Sequence, residues 1–80
     1  PITEEDRKLK VKEVGKLAEE TKIKVRQIRH NTIKDVDDAE GVSEDDQKRD
    51  KEKIQKIIDD AVKSVDELAK SKEQDLMVVK

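Results

Sequence analysis

Side chains at Val11, Val14, Ala18, Thr21, Val25, Ile28 and Thr32 recur at alternating steps of three and four residues, and no other feature limits the possible folds of this chain so tightly. Such steps put one side chain per turn on a single face of an α-helix, whereas a strand would need alternation with a period of two. The repeat is close to 3.5 residues, a heptad seam of the kind along which two helices pack. After an interruption a second seam follows: Ile54, Ile58, Ala61, Val65 and Leu68, widened at its margins by Ile57, Val62, Ala69 and Leu76.

The ends of both helices are marked. Thr3-Glu4-Glu5-Asp6 and Ser43-Glu44-Asp45-Asp46 each offer a hydroxyl that can accept from the N–H three residues on, with a carboxylate at the far end of a capping box. Acids in the first turn also suit the positive end of the helix dipole. Gly41 stands where a helix C-cap or tight turn would place it, directly before Val42 and the Ser43 cap. The chain is therefore expected to be all-α, with a helix over about 4–38, a turn over about 39–42 and a helix over about 43–77. So short a loop makes the two helices antiparallel neighbours in a long hairpin.

A hairpin covers each seam from one side only, and the second helix carries an apolar stripe as wide as that of a bundle helix. Composition sharpens the difficulty. Only 31% of the 80 residues are hydrophobic, none is aromatic and 50% are charged, so little core is available to a chain of this length. Yet 19 basic against 21 acidic residues leave a net charge of −2, and the regular spacing sets the chain apart from a disordered one. We expect residues 1–80 to be part of a three-helix bundle domain whose first, N-terminal helix is absent from this chain, supplied by the rest of the polypeptide or by a second copy. A start at Pro1 without Met fits a segment of a longer protein. The residues from Glu44 to Lys53 include no apolar side chain, so the turn end is expected to be solvated, with the packing toward the termini. Gly15, inside the first helix, reads as a tolerated weak point or a close-packing position.

Charge is sorted along the first helix. From Thr21 through Lys34 there is no acid, while Lys22, Lys24, Arg26, Arg29 and Lys34 give +5, with His30 available to add to it. Asp35 through Asp46 then holds seven acids and no base. Lys22, Arg26 and Arg29, at offsets i, i+4 and i+7, share one stripe beside the seam. Arginine presents a planar fork of donors that grips phosphate bidentately. The stripe suits the backbone of structured nucleic acid, while the absence of aromatics argues against stacking on single-stranded bases. The competing interpretation is a solvated face with internal ion pairs, although such faces normally interleave Glu with Lys.

Catalysis finds little to stand on. His30 is the only imidazole, there is no Cys, and Ser43 is explained as a cap while Ser64 and Ser71 have no base beside them on their helix. Asp59-Asp60 and Asp66-Glu67 are sequence neighbours that point to different sides of a helix. Neither a glycine-rich phosphate loop nor an acidic calcium loop is present. We expect no enzyme activity, no cofactor and no metal, and, without a long apolar run or a signal peptide, no membrane association.

Five segments in order carry a resemblance: Pro1-Ile2-Thr3-Glu4-Glu5-Asp6-Arg7-Lys8, Val25-Arg26-Gln27-Ile28-Arg29, Val42-Ser43-Glu44-Asp45-Asp46, Ile54-Gln55-Lys56 and Lys72-Glu73-Gln74-Asp75-Leu76-Met77. Together they resemble the C-terminal part of the ribosome recycling factor family across essentially the whole chain, with a shorter turn. The resemblance implies a three-helix bundle built from one N-terminal and two C-terminal helices, with a small β-rich domain inserted after the first. This chain would be the last two helices. It also implies binding to large-subunit rRNA in the post-termination ribosome and, with elongation factor G, dissociation of the subunits, in the bacterial cytoplasm or an organellar matrix or stroma. GTP hydrolysis would belong to the partner factor. The family's Arg-Asn-(Val/Ile)-Arg-Arg-Asp motif falls on Arg26, Arg29 and, with a changed side chain, His30; Arg7 matches an arginine near the start of the same helix. The rRNA-binding set so implied, with Lys22 from the charge stripe, is Arg7, Lys22, Arg26, Arg29 and His30. The sequence departs from the family at His30-Asn31, where a titrating imidazole replaces a fixed charge, and at Leu9-Lys10, whose order is reversed. The alternative is a coiled-coil structural or protein-interaction module that binds no RNA, its seams taking a protein helix.

Overall fold

A computed structural model describes residues 2–78; Pro1, which opens the expected domain, and Val79 and Lys80 lie outside the described residues. Two helices account for almost all of it, α1 (Glu4–Asp38) and α2 (Glu44–Met77), and among the described residues there is no strand. They run back to back as a hairpin about 62 Å long and 16 Å by 10 Å across its Cα trace. Among the described residues no helix is long and apolar enough to cross a membrane.

The caps form as their chemistry dictates. Thr3 Oγ1 accepts from Asp6 N at 3.1 Å and Thr3 N donates to Asp6 Oδ2 at 3.4 Å, closing a reciprocal capping box. Ser43 Oγ accepts from Asp46 N at 3.2 Å, so Ser43 is the N-cap and α2 proper begins one residue later. Gly41 takes φ +74°, a left-handed conformation that costs a residue without Cβ little, and so allows the chain to reverse between Ala39 and Val42.

The seam differs from a heptad in one respect. One half-buried or buried position per turn traces the seam, in α1 Arg7, Val11, Val14, Ala18, Thr21, Val25, Arg29, Thr32 and Val36, and in α2 Gln47, Lys51, Ile54, Ile58, Ala61, Val65, Ala69, Glu73 and Leu76, with Gly15, Lys22, Ile33, Gln55 and Val62 half-buried on its flank. From first to last, each set advances about 3.6 residues per step, the period of a straight helix. A 3.5-residue repeat drifts about 20° per heptad against that period. The drift moves Ile28 and Leu68 off the seam expected for them: they are 58% and 70% exposed, and Arg29 and Ala69 take their places.

The buried core is thin. Ala18 at 9% and Ile58 at 8% exposure are the buried hydrophobic residues among those described. Toward the turn, polar contacts replace apolar packing: Gln47 Nε2 donates to the Val36 carbonyl at 3.2 Å, and Lys51 pairs with Asp37. Gly15 does not mark a close approach. A Cβ built there would meet nothing nearer than Glu73 Oε1 at 3.7 Å, an ordinary contact.

Candidate nucleic-acid interface

Packing leaves the hairpin with two unlike long sides. On one, Leu17 faces the neighbourhood of Leu68 in an open groove floored by Val14, Ala18, Thr21 and Val65. Ile28 and Ile57 lie three turns further along their helices, about 16 Å away, on the same sides of α1 and α2. All four large aliphatics are exposed. The other side is polar and carries the basic residues of the α1 stripe.

Those cations do not share one environment. Lys22 Nζ lies 2.8 Å from Glu19 Oε1, one turn back on α1, and 2.8 Å from Asp66 Oδ1 on α2, and its side chain is only 12% exposed. The hydrogen bond to Asp66, then the one to Glu19, raises its pKa above the usual 10.5. The charge of Lys22 is therefore matched inside the hairpin, where it clasps the two helices. Arg29 is also half-buried, but its Nε donates to a neutral acceptor, Gln55 Oε1, at 2.6 Å. Gln55 in turn donates through Nε2 to Asp59 Oδ1 at 2.8 Å. Arg26 is exposed and takes part in none of the ion pairs found among the described residues. It shares with Arg29 a surface groove completed by Gln55, Ile58, Asp59 and Val62.

Of the five residues expected at the interface, the structure thus brings Arg26 and Arg29 to one groove and turns Lys22 into the hairpin. His30 is exposed beside them. Arg7, half-buried near the start of α1, is some 19 residues from Arg26, about 28 Å along the axis. Sequence reasoning missed Gln55, which reaches Arg29 from the other helix, and Asp59, which holds Gln55. Gln55, a polar residue directly after Ile54 on the flank of the apolar stripe, is the signal that pointed there. Among the described residues no cluster of His, Asp or Glu is arranged to hold a metal. What the groove offers is two arginine side chains lining one depression together with the Asp59 carboxylate; guanidinium is a donor group suited to phosphate oxygens.

A sequence profile described as ribosome recycling factor matches residues 1–77. The chain belongs to the ribosome recycling factor family. Similar curated proteins are the ribosome-recycling factor of Xylella fastidiosa, 46% identical over 82 residues, and that of a Caulobacter species, 48% identical over 82 residues; each alignment covers 99% of this chain and 44% of the relative. The ribosome-recycling factor of Aquifex aeolicus is 35% identical over 79 residues, with 99% of this chain and 43% of the relative covered. The chain thus spans less than half the length of the family members it matches. No solved structure matches it.

Proposed function

We propose that this hairpin is the ribosome-binding helical part of a recycling factor, that its polar side contacts large-subunit rRNA through Arg26 and Arg29, and that the polypeptide carrying it dissociates post-termination ribosomes together with elongation factor G. The work is mechanical: binding energy to rRNA is the contribution of these residues, and no covalent step is assigned to them. His30 extends the same exposed surface, and Arg7 marks a second contact nearer the free end of the hairpin. Lys22 serves as a clasp between the helices, not as a phosphate ligand.

The observation that carries this reading is the pairing of Arg26 and Arg29 in one groove of a chain whose family is ribosome recycling factor. The exposed row of Leu17, Ile28, Ile57 and Leu68 supports a third helix, from elsewhere in the same polypeptide, lying along the opposite side. Covering a large aliphatic side chain yields about 1.5–3 kcal/mol, which a two-helix hairpin forgoes at each of these positions. The test is equilibrium binding to purified large ribosomal subunits, made with the polypeptide that carries this chain. Replacing Arg26 and Arg29 together by Ala is expected to weaken binding and flatten its salt dependence, as loss of phosphate contacts does. Unchanged affinity and unchanged salt slope would reject the site.

A further inference from the structure

Two cations of α1, two turns apart, are held across the hairpin by different chemistry. Lys22 meets two carboxylates, Glu19 and Asp66, each at 2.8 Å. Arg29 meets a carboxamide, Gln55, at 2.6 Å through Nε. A carboxylate is at hand for Arg29 as well, because Asp59 lines the same groove; but Asp59 Oδ1 is engaged by Gln55 Nε2 at 2.8 Å. The amide is interposed between the acid and the guanidinium.

Interposition has two consequences. The orientation of the Gln55 amide is fixed, since its NH2 can only donate and so must face Asp59, leaving its carbonyl for Arg29; the reversed amide would set donor against donor and acceptor against acceptor. The second consequence is electrostatic. A neutral acceptor holds Arg29 through Nε and keeps it out of direct contact with a carboxylate, so that Asp59 offsets its charge only from across the amide, whereas a carboxylate in the Gln55 position would pair with it directly.

We propose that Gln55 is a positioning residue for rRNA binding: a neutral clamp, oriented by Asp59, that holds the Arg29 guanidinium with its outer edge toward a phosphate without neutralising it. This rests on the RNA-binding assignment of Arg29 above. Gln55→Glu turns Arg29 into a second Lys22, a cation consumed by the hairpin. Because Gln55→Glu also loses the donor to Asp59 and sets two carboxylates one turn apart, the reading that marks the clamp is a loss of RNA affinity and salt slope that depends on Arg29, which a purely structural role for Gln55 would not produce.

The experiment measures binding of the polypeptide that carries this chain to purified large ribosomal subunits over a range of monovalent salt, with the melting temperature of every variant recorded beside it. Gln55→Glu is expected to bind about tenfold more weakly, the scale of one lost charge-assisted contact, and to lose about one from the slope of log affinity against log salt. Gln55→Met, of similar size but without an acceptor, is expected to weaken binding in the parent and to add nothing in an Arg29→Ala background. Parental affinity and slope for Gln55→Glu, while Arg29→Ala loses both, would overturn the clamp and leave the RNA-binding reading intact. An equal loss from Gln55→Met with and without Arg29 would also overturn it, since Gln55 would then act on its own. If Arg29→Ala itself changes neither affinity nor slope, the assignment of Arg29 fails and the clamp fails with it.

Discussion

One long side of the hairpin exposes Leu17, Ile28, Ile57 and Leu68, while the other carries Lys22, Arg26, Arg29, Gln55, Asp59 and Asp66. Both sides flank the same thin seam, yet each is incomplete in a different way. The first has apolar surface in excess of what two helices can cover. On the second, Asp66 pairs with Lys22 and Asp59 is held by the neutral Gln55, and among the described residues neither Arg26 nor Arg29 forms an ion pair. The contrast is what supports the two neighbours proposed above for the hairpin, an apolar helix on one side and an anion on the other.

The largest effect that separates the sides is expected from Leu17→Asp combined with Leu68→Asp. In the polypeptide that carries this chain, the pair should cost more than about 4 kcal/mol in urea unfolding, from lost burial and the placement of charge against an apolar helix. In the isolated 80 residues at low concentration, where both sites are mostly exposed, it should cost less, about 1–2 kcal/mol, from the poorer helix propensity of Asp and two acids across the groove. Equal costs in the two settings would remove the reason for a covering helix. Ile58→Ala comes next. It empties the centre of the seam and should cost about 2–4 kcal/mol in either setting, because Ile58 is buried by the hairpin itself.

Gly15→Ala is smaller and opposite in sign. With only Glu73 Oε1 at an ordinary 3.7 Å from the added methyl, the substitution should stabilise α1 by up to about 1 kcal/mol, readable as a higher urea midpoint; a loss would mean that Glu73 cannot give way. The least effect is expected at Lys22. Its pKa is raised in the folded chain, so the clasp stabilises fully below pH 10.5 and is lost as pH rises through the folded-state value. The stability difference between the parent and Lys22→Met should therefore be the same at neutral and mildly alkaline pH and shrink only in strong alkali. A difference that disappears already near neutrality would contradict the pairing with Asp66 and Glu19.

Much of the architecture could be read from residues acting locally. The Thr3 and Ser43 caps and Gly41 are short-range devices whose geometry depends on three or four neighbouring residues, and they fixed both helices and the turn. The seam was less legible. A 3.5-residue repeat and a 3.6-residue helix stay in phase for only a few turns, so Val11 through Val25 face inward as the spacing implies, whereas Ile28 and Leu68 do not. At the candidate interface the limit is of another kind. An acid-free window on α1 speaks only for the i±3 and i±4 neighbours on that helix. Asp66 reaches Lys22, and Gln55 reaches Arg29, across a register that the turn sets and that no local spacing reveals.

The central claim is that cations of one helix stripe have been divided between holding the hairpin and meeting RNA. It is tested most directly by the salt dependence of binding to large ribosomal subunits, measured side by side for Lys22→Met and for Arg26→Ala with Arg29→Ala. We predict that the arginine pair loses about two from the slope of log affinity against log salt while Lys22→Met keeps the parental slope. A loss of slope at Lys22 as large as that of one arginine, or none at the arginines, would contradict the account.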